Sequence, residues 1–291
     1  MTRMSATGIG FAAVLMWAFL AVLSTASGPI PPFQLTAMCF FIGGLSGIIS
    51  WIWRPTAIHA LRQNWQVWLV GTFGLCTYHV LYFFAIQNAP PVEASLIAYL
   101  WPLLIVLFAA MLPGERLRPH HVIGAVLGLA GAIVIITNGG TVGLSTGLKP
   151  GHVMALACAF IWSGYSVLSR RLGHVPTDVV AGFCLITAAV SLVFHLVLEP
   201  TVWPQTASQT AAILLLGFLP LGLGFYAWDY GVKKGDIMVL AASSYAAPLL
   251  STLVLVAAGY ASASWTLASA CLMITAGAAI AAKDMIFSAN P

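Results

Sequence analysis

Tyr78, His79 and Tyr82 form the segment of this sequence best suited to bind a small solute. Residues three and four apart share a face of an α-helix, so the imidazole and the two phenols lie on neighbouring turns. These groups combine ring surfaces with hydrogen-bonding edges, and a histidine can also change its charge near neutral pH. We interpret His79 as a cavity residue that hydrogen-bonds a solute. The alternative is a structural histidine bonded to a neighbouring helix.

A second stripe contains Ser95, Tyr99 and Pro102, at positions i, i+4 and i+7 of a predicted helix. Trp101 is turned away from this stripe by about 100° on such a helix, so it faces either the edge of a cavity or the lipid. Pro102 removes a backbone hydrogen bond and clashes with the carbonyl four residues before it. The sequence therefore predicts a kink that frees backbone carbonyls near Pro102.

The stripe returns 146 residues later, where Pro248 follows Ser244 and Tyr245. A single proline in a membrane helix often only shapes packing, and that alternative stays open. Two prolines at equivalent positions are better explained as paired hinges, or as backbone polarity exposed beside a binding site. We predict that Pro102 and Pro248 are hinges and that Ser244 and Tyr245 contact the solute.

Three further aromatic residues complete the candidate site. Trp17 and Trp162 are 145 residues apart and lie near the middle of two long apolar runs, too deep for both to belong to an interfacial belt. We expect them to line a central cavity; helix packing is the alternative. Tyr226 lies one turn before Asp229, whose carboxylate we expect to pair near the membrane surface with the lysines that follow it.

The composition identifies lipid as the solvent of this chain. Of its 291 residues, 60% are hydrophobic and 6% are charged, whereas about 25% of a soluble domain is charged. Too few polar side chains remain to cover a surface that faces water. The net charge of +4 does not indicate nucleic acid as a partner, because the basic residues sit singly or in pairs between apolar runs.

Ten apolar runs are long enough to cross a bilayer, since a membrane helix needs about 17–25 residues. Glycines and prolines separate these runs, and the longest connection, at 138–150, joins the two halves of the chain. The predicted spans are residues 5–26, 33–53, 65–87, 91–111, 119–137, 151–170, 177–198, 208–231, 236–257 and 264–283.

The basic residues give the direction of the spans. If the N-terminus is cytoplasmic, ten of the eleven Lys and Arg residues lie on the cytoplasmic side and only Lys149 lies outside, as the positive-inside rule requires. Each half has five spans, an odd number, so the second half enters the membrane inverted. We predict an all-α integral membrane protein with ten transmembrane helices in two inverted five-helix repeats, at residues 1–140 and 141–291, and with both termini cytoplasmic.

This arrangement resembles the drug/metabolite transporter superfamily, with two EamA-type halves, over nearly the whole chain. The resemblance rests on the ten spans, on the glycine-rich fifth and tenth spans, and on the paired elements Trp17 with Trp162 and Tyr99-x-x-Pro102 with Tyr245-x-x-Pro248. Within the superfamily, the aromatic segments at 78–82 and 99–101 look most like exporters of aromatic and neutral amino acids. The resemblance implies such an exporter in a bacterial inner membrane.

Charge and ring content limit the substrate. All Lys and Arg residues lie at predicted helix ends, so a phosphorylated solute would meet no cation in the low dielectric of the membrane. Aromatic side chains are abundant, and they suit small, largely apolar solutes with a few hydrogen-bonding groups. By sequence alone an amino acid, a neutral drug or another small metabolite fits equally well; the resemblance favours amino acids.

We expect transport by alternating access of the two halves. No acidic residue is predicted at mid-membrane, so facilitated diffusion is favoured, and proton antiport through His79 is the alternative. An intramembrane enzyme would need clustered catalytic groups, whereas His79, His195, Asp229 and Glu93 fall at different predicted depths. We therefore expect no enzymatic activity, no cofactor and no metal. The favoured partners are an amino acid and the lipid bilayer, with a monomer as the favoured state.

Overall fold

A computed structural model describes residues 2–110, 118–136, 148–169, 175–235, 244, 246–281 and 283. These residues form helices joined by short turns, and no β-strand occurs among them. The all-α class predicted from the sequence is confirmed. Tyr245 and most of the connection at 138–150 lie outside the described residues.

The helices are numbered in chain order. The first half of the chain contains α1 (Arg3–Ala18), α2 (Leu20–Ala26), α3 (Pro32–Trp51), α4 (Trp65–Asn88), α5 (Pro91–Ala98), α6 (Trp101–Ala110) and α7 (Pro119–Ile136). The second half contains α8 (Pro150–Ser169), α9 (Val179–Leu198), α10 (Ala207–Phe218), α11 (Gly224–Lys234), α12 (Ala247–Ala257) and α13 (Trp265–Ala281). A 3-10 helix at Pro55–Leu61 follows α3, and a π-helical turn at Leu219–Leu223 joins α10 to α11.

Six helical runs of the described chain are long and apolar enough to cross a membrane: α1 with α2, α3, α4, α8, α9, and α10 through α11. The helices α7, α12 and α13 are apolar but shorter. The outward faces of the long helices are also apolar. On α3, for example, Phe41, Leu45 and Ile49 recur at four-residue spacing on the exposed side. A helix that is apolar on both its buried and its exposed face is suited to lipid.

The predicted spans agree only in part with the helices. Those at 33–53, 65–87 and 177–198 correspond to α3, α4 and α9. The spans at 5–26 and 208–231 correspond to the continuous helical runs Arg3–Ala26 and Ala207–Gly231, and the span at 151–170 corresponds to α8. Three of the predicted spans contain a local interruption. Phe19 separates α1 from α2, Tyr99 and Leu100 separate α5 from α6, and the π-helical turn at Leu219–Leu223 interrupts the eighth span.

Pro102 and Pro248 both lie in the first turn of a helix. The helix α6 begins at Trp101 and α12 begins at Ala247, so Pro102 and Pro248 are each the second residue of a helix. Amides in the first turn have no partner within the helix, so a proline there loses no hydrogen bond. The two prolines therefore start helices, and the break at Tyr99 and Leu100 directly precedes the helix that contains Pro102. The hinge role of both prolines stays a prediction.

Four helix pairs make the most extensive contacts: α1 with α11, α3 with α9, α4 with α8, and α7 with α13. Each pair joins a helix of the first half to a helix of the second. Glycines allow this close approach. A Cβ atom on Gly43 would lie 2.7 Å from the Leu221 carbonyl oxygen, and one on Gly277 would lie 2.6 Å from that of Gly124. The two halves of the chain therefore interleave in one bundle.

Polar contacts join α3 to the second half at both of its ends. At one end, Nη2 of Arg54 lies 3.0 Å from Oδ1 of Asp178. At the other end, the Glu199 carboxylate accepts hydrogen bonds from the backbone amides of Phe33 and Gln34, at 2.9 and 3.0 Å. An anion in this position also stabilises the N-terminus of α3 through the helix dipole.

Candidate functional site

A cavity lies inside the bundle, among α1, α2, α4, α8, α11 and the break between α5 and α6. Six of the predicted site residues line it, and aromatic rings dominate the lining. The lining residues are Trp17, Leu20, Tyr78, His79, Tyr99, Trp101, Trp162 and Phe225. Leu20 and Phe225 were not among the residues predicted from the sequence.

Trp162 and Trp17 form the centre of this ring cluster. Their ring centroids are 5.9 Å apart with the planes at 85°, an edge-to-face contact. Trp162 also lies 5.2 Å from Tyr78 and 5.9 Å from Phe225. Such pairs stabilise by about 0.5–1.5 kcal/mol beyond the area they bury. The contacts bring together side chains from α1, α4, α8 and α11.

The tautomer of His79 follows from its hydrogen bond. Its Nδ1 atom lies 2.8 Å from the carbonyl oxygen of Leu75, one turn earlier on α4. A carbonyl only accepts, so Nδ1 must carry the proton, and Nε2 of the neutral ring is left as an acceptor. The imidazole is held between the rings of Phe40 and Phe225, at centroid distances of 4.9 and 5.5 Å. His79 therefore offers one acceptor atom in a position fixed by the helix and by its neighbours.

Trp17 and Tyr99 use their polar atoms to hold the bundle together. Nε1 of Trp17 donates to the carbonyl oxygen of Pro220 at 3.1 Å, and Pro220 lies in the π-helical turn. The Tyr99 hydroxyl donates to the backbone carbonyl of Trp17, also at 3.1 Å. The ring faces of both residues line the cavity, but their donors are already bonded.

Four other polar atoms of the lining have no hydrogen bond within the described part of the chain. They are Oη of Tyr78, Nε2 of His79, Nε1 of Trp101 and Nε1 of Trp162. Each of the four atoms retains some accessible surface. The four therefore provide one acceptor, two donors and one hydroxyl that can do either.

The lining contains no Lys, Arg, Asp or Glu among the residues described. Charged pairs lie elsewhere. The predicted pairing of Asp229 is confirmed, because Nζ of Lys233 lies 2.6 Å from its Oδ2 atom. Glu93, at the start of α5, lies 2.8 Å from Nε2 of His152. A solute in the cavity would therefore meet rings and neutral hydrogen-bonding groups.

The structure does not bring every predicted site residue to the cavity. Tyr82 is 2% exposed and its hydroxyl makes no hydrogen bond within the described residues. The Tyr226 hydroxyl donates to the Gly43 carbonyl at 3.2 Å, in the contact between α11 and α3. Ser244 is buried but is not part of the lining. The role predicted for Tyr245 falls outside the described residues.

The cavity is small in this conformation. Its free space is about 30 Å³, and a buried water needs at least about 10–15 Å³ measured in this way. There is room for about two waters, but an amino acid requires that side chains or helices move apart. The arrangement is that of a narrow, ring-lined site.

Comparison with known proteins gives the family. The EamA-like transporter family matches residues 4–137 and again residues 149–282. The chain belongs to the EamA-like transporter family. The choice of a transporter over an intramembrane enzyme is thereby confirmed, and the apolar helices are those of a multi-pass membrane protein.

Relatives of this transporter include proteins named for amino acid export. It is 54% identical to an "Aromatic amino acid exporter YddG" of Ancylobacter novellus, over 97% of this chain and 98% of the relative. It is 25% identical to the protein of the same name from Salmonella typhimurium, over 87% and 88% of the two chains. A solved crystal structure, 54% identical, covers 96% of this transporter and 98% of its own chain with a TM-score of 0.77.

Proposed function

We propose that this transporter exports small neutral amino acids, mainly aromatic and other apolar ones, from a bacterial cell across its inner membrane. The observation that carries the proposal is the central cavity, which is lined by aromatic rings and by neutral hydrogen-bonding atoms. Two relatives named as aromatic amino acid exporters support it. Trp17, Tyr78, His79, Tyr99, Trp101 and Trp162 are the proposed substrate-binding residues.

The chemistry of the cavity suits a zwitterion with an apolar side chain. Ring faces bind an aromatic or aliphatic side chain through apolar and edge-to-face contacts. The ammonium and carboxylate groups need an acceptor and donors, which His79, Trp101 and Trp162 supply. A phosphorylated solute or an amino acid with a charged side chain would bury a charge without a counter-ion, which costs several kcal/mol.

Two inverted five-helix repeats, at residues 1–140 and 141–291, are the proposed architecture, with ten spans and both termini in the cytoplasm. The double family match supports two repeats. The helix pairing supports a two-fold relation between them. Under such a two-fold rotation, α1 would correspond to α8 and α4 to α11. The contact between α1 and α11 would then become the contact between α8 and α4. The pairs α3–α9 and α7–α13 would each be mapped onto themselves.

Alternating access is the proposed mechanism. The narrow cavity leaves room for an amino acid only after the surrounding helices separate at one face of the membrane. Arg54 with Asp178, and Glu199 with the first turn of α3, hold opposite ends of the α3–α9 contact, and we expect opening at one face to break one of these contacts. Pro102 and Pro248, each the second residue of a helix, are the proposed hinges.

Facilitated diffusion is the favoured energetic mode, because no carboxylate lines the described cavity to carry a proton. Export then follows the amino acid gradient. Proton-coupled export of amino acids, other metabolites or drugs is the second candidate, and His79 in the cavity is the observation that favours it.

A transport assay in liposomes tests this function. Purified protein is reconstituted in liposomes loaded with labelled phenylalanine, leucine, glutamate, lysine or a sugar phosphate. Efflux is compared with that from equally loaded liposomes that contain no protein. We expect saturable efflux of phenylalanine and leucine, with little efflux of the other solutes. Efflux of the sugar phosphate, or none of any amino acid, would contradict the proposal. A pH gradient that changes the final distribution of phenylalanine would select proton coupling.

A further inference from the structure

The cavity has two chemically different walls. The wall built by α4, α6 and α8 carries Tyr78, His79, Trp101 and Trp162, and each of these has a polar atom without a hydrogen bond within the described chain. The other part of the lining, built by α1, α2 and α11, carries Trp17, Leu20 and Phe225. We call these the polar wall and the apolar wall.

The apolar wall contains one polar atom, and that atom is already bonded. Nε1 of Trp17 donates to the Pro220 carbonyl at 3.1 Å, and Leu20 and Phe225 have no polar side-chain atoms. Tyr99 lies at the break between α5 and α6, and its hydroxyl is bonded to the Trp17 carbonyl. A ligand would have to displace these existing hydrogen bonds before it could bond the same donors, which is unfavourable.

The two tryptophans show the difference most directly. Trp17 and Trp162 are separated by 145 residues and occupy equivalent places in the two family matches. Their rings touch edge to face at 5.9 Å. The indole N–H of Trp17 is bonded, whereas that of Trp162 has no partner in the part of the chain that the structure describes. Equivalent residues therefore present a ring face on one side and a ring face with a donor on the other.

We infer that a bound amino acid lies in one orientation across the cavity, with its head group against the polar wall and its side chain against the apolar wall. The indole N–H groups of Trp162 and Trp101 donate to the carboxylate, and Nε2 of His79 accepts from the ammonium. The side chain lies among Trp17, Leu20 and Phe225. Trp162 is thus the specificity-determining residue for an α-carboxylate, and its equivalent Trp17 is not.

This orientation rests on the proposed function, since it assigns places to the two charged groups of an amino acid. It also has a consequence of its own. The polar wall recognises the groups that all amino acids share, whereas the apolar wall recognises the side chain. Changes on the polar wall should therefore alter the discrimination between an amino acid and an analogue without its carboxylate. Changes on the apolar wall should alter the discrimination between side chains.

A matched pair of variants tests the assignment. Trp162→Phe and Trp17→Phe each remove one indole N–H and keep an aromatic ring. In proteoliposomes, the initial rate of labelled phenylalanine exchange is measured while unlabelled phenylalanine or phenylalanine amide competes. The ratio of the two inhibitory concentrations reports recognition of the carboxylate. Thermal unfolding of each variant reports the loss of structural contacts.

We expect the wild-type protein to prefer phenylalanine over its amide by about 10-fold or more, as for a hydrogen bond to a charged group. Trp162→Phe should reduce that ratio towards one and lower the unfolding temperature less than Trp17→Phe does, because both lose ring contacts but only Trp17 also loses a hydrogen bond. Trp17→Phe should keep the ratio and lower the unfolding temperature, because the bond to Pro220 is lost. Trp101→Phe is a second test of the polar wall, and it decides the question if Trp162→Phe does not fold.

An unchanged ratio in Trp162→Phe and Trp101→Phe would overturn the orientation, as would an equal reduction of the ratio in Trp17→Phe. These outcomes are separate from a failure of the proposed function. If the wild-type protein exchanges no phenylalanine, both proposals fail. If it exchanges phenylalanine and shows the same ratio in every variant, only the orientation fails.

Discussion

The third and eighth spans occupy equivalent places in the two matched halves, yet they differ at the cavity. The helix α4 is continuous and presents His79, whereas the eighth span is interrupted by a π-helical turn and presents Phe225 at the position 146 residues later. The same offset relates Gly74 of α4 to Pro220 of the turn. A common framework therefore carries a polar group on one side and an apolar ring on the other.

The π-helical turn explains why the two sides differ. Pro220 has no amide proton, so the α-helical hydrogen-bonding pattern is interrupted there, and the amide of Gly224 reaches back to the carbonyl of Leu219. The Pro220 carbonyl accepts from the Trp17 indole instead. In α4 no proline interrupts the helix, so the equivalent Trp162 finds no such acceptor. Under the proposed two-fold relation between the halves, the shared framework places the site, and local departures from symmetry supply its chemistry.

The largest effect is expected from a change in the π-helical turn. A Cβ atom on Gly222 would lie 2.7 Å from the Gly217 carbonyl oxygen and 3.2 Å from Cα of Gly43. Gly222→Ala should therefore destabilise the protein by about 1–3 kcal/mol through overpacking and displace the turn, lowering both the unfolding temperature and phenylalanine efflux. Gly164→Ala is the control, because nothing lies within 4 Å of its added Cβ. Wild-type unfolding and efflux in Gly222→Ala would show that the turn is dispensable.

A smaller effect is expected when a residue of the apolar wall is replaced by the residue type found at the equivalent position of the polar wall. Phe225→His places an imidazole at the position equivalent to His79. Burying a polar group without a partner costs about 1–3 kcal/mol, so phenylalanine efflux should fall by about tenfold, as measured in proteoliposomes. Phe225→Leu keeps the wall apolar and should reduce efflux less. Equal efflux in both variants would mean that the wall does not need to be apolar.

The smallest effects should separate bonded from free hydroxyls. Tyr99→Phe removes the hydrogen bond to the Trp17 carbonyl and should lower stability by about 1 kcal/mol while changing efflux by about twofold. Tyr78→Phe removes a hydroxyl that has no bond among the described residues, so it should affect efflux more than unfolding. Calorimetry and efflux rates measured on both variants check the pair, and the opposite pattern would reverse the assignment of the two hydroxyls.

Much of the site could be predicted from the sequence because depth in the membrane is encoded in apolar run length. The six predicted residues that line the cavity all lie near the middle of apolar runs or on a stripe with helical spacing. Phe225 was missed, although the repeat offset relates it to His79. Leu20 was missed because an apolar residue one turn after Trp17 has no distinctive type.

The helix breaks could not be predicted in the same way. An apolar run looks alike whether one helix or two helices fill it, so the interruptions at Phe19 and at Tyr99–Leu100 left no signal in hydropathy. Pro220 was a signal for the π-helical turn. The sequence could not show whether the Tyr226 hydroxyl bonds a solute or a neighbouring helix. Its bond to the Gly43 carbonyl depends on how closely α3 approaches α11.

The central claim is that a hydrogen-bonding group at His79, and not merely a ring, binds the exported amino acid. The direct measurement is phenylalanine efflux from liposomes containing His79→Ala or Phe225→Ala, at matched protein insertion. Both variants delete a ring at equivalent positions of the cavity lining, but only the first removes an acceptor for the ammonium group. We expect His79→Ala to be slower than Phe225→Ala by about tenfold or more, as for the loss of a hydrogen bond to a charged group. Equal rates, or a slower Phe225→Ala, would contradict the account.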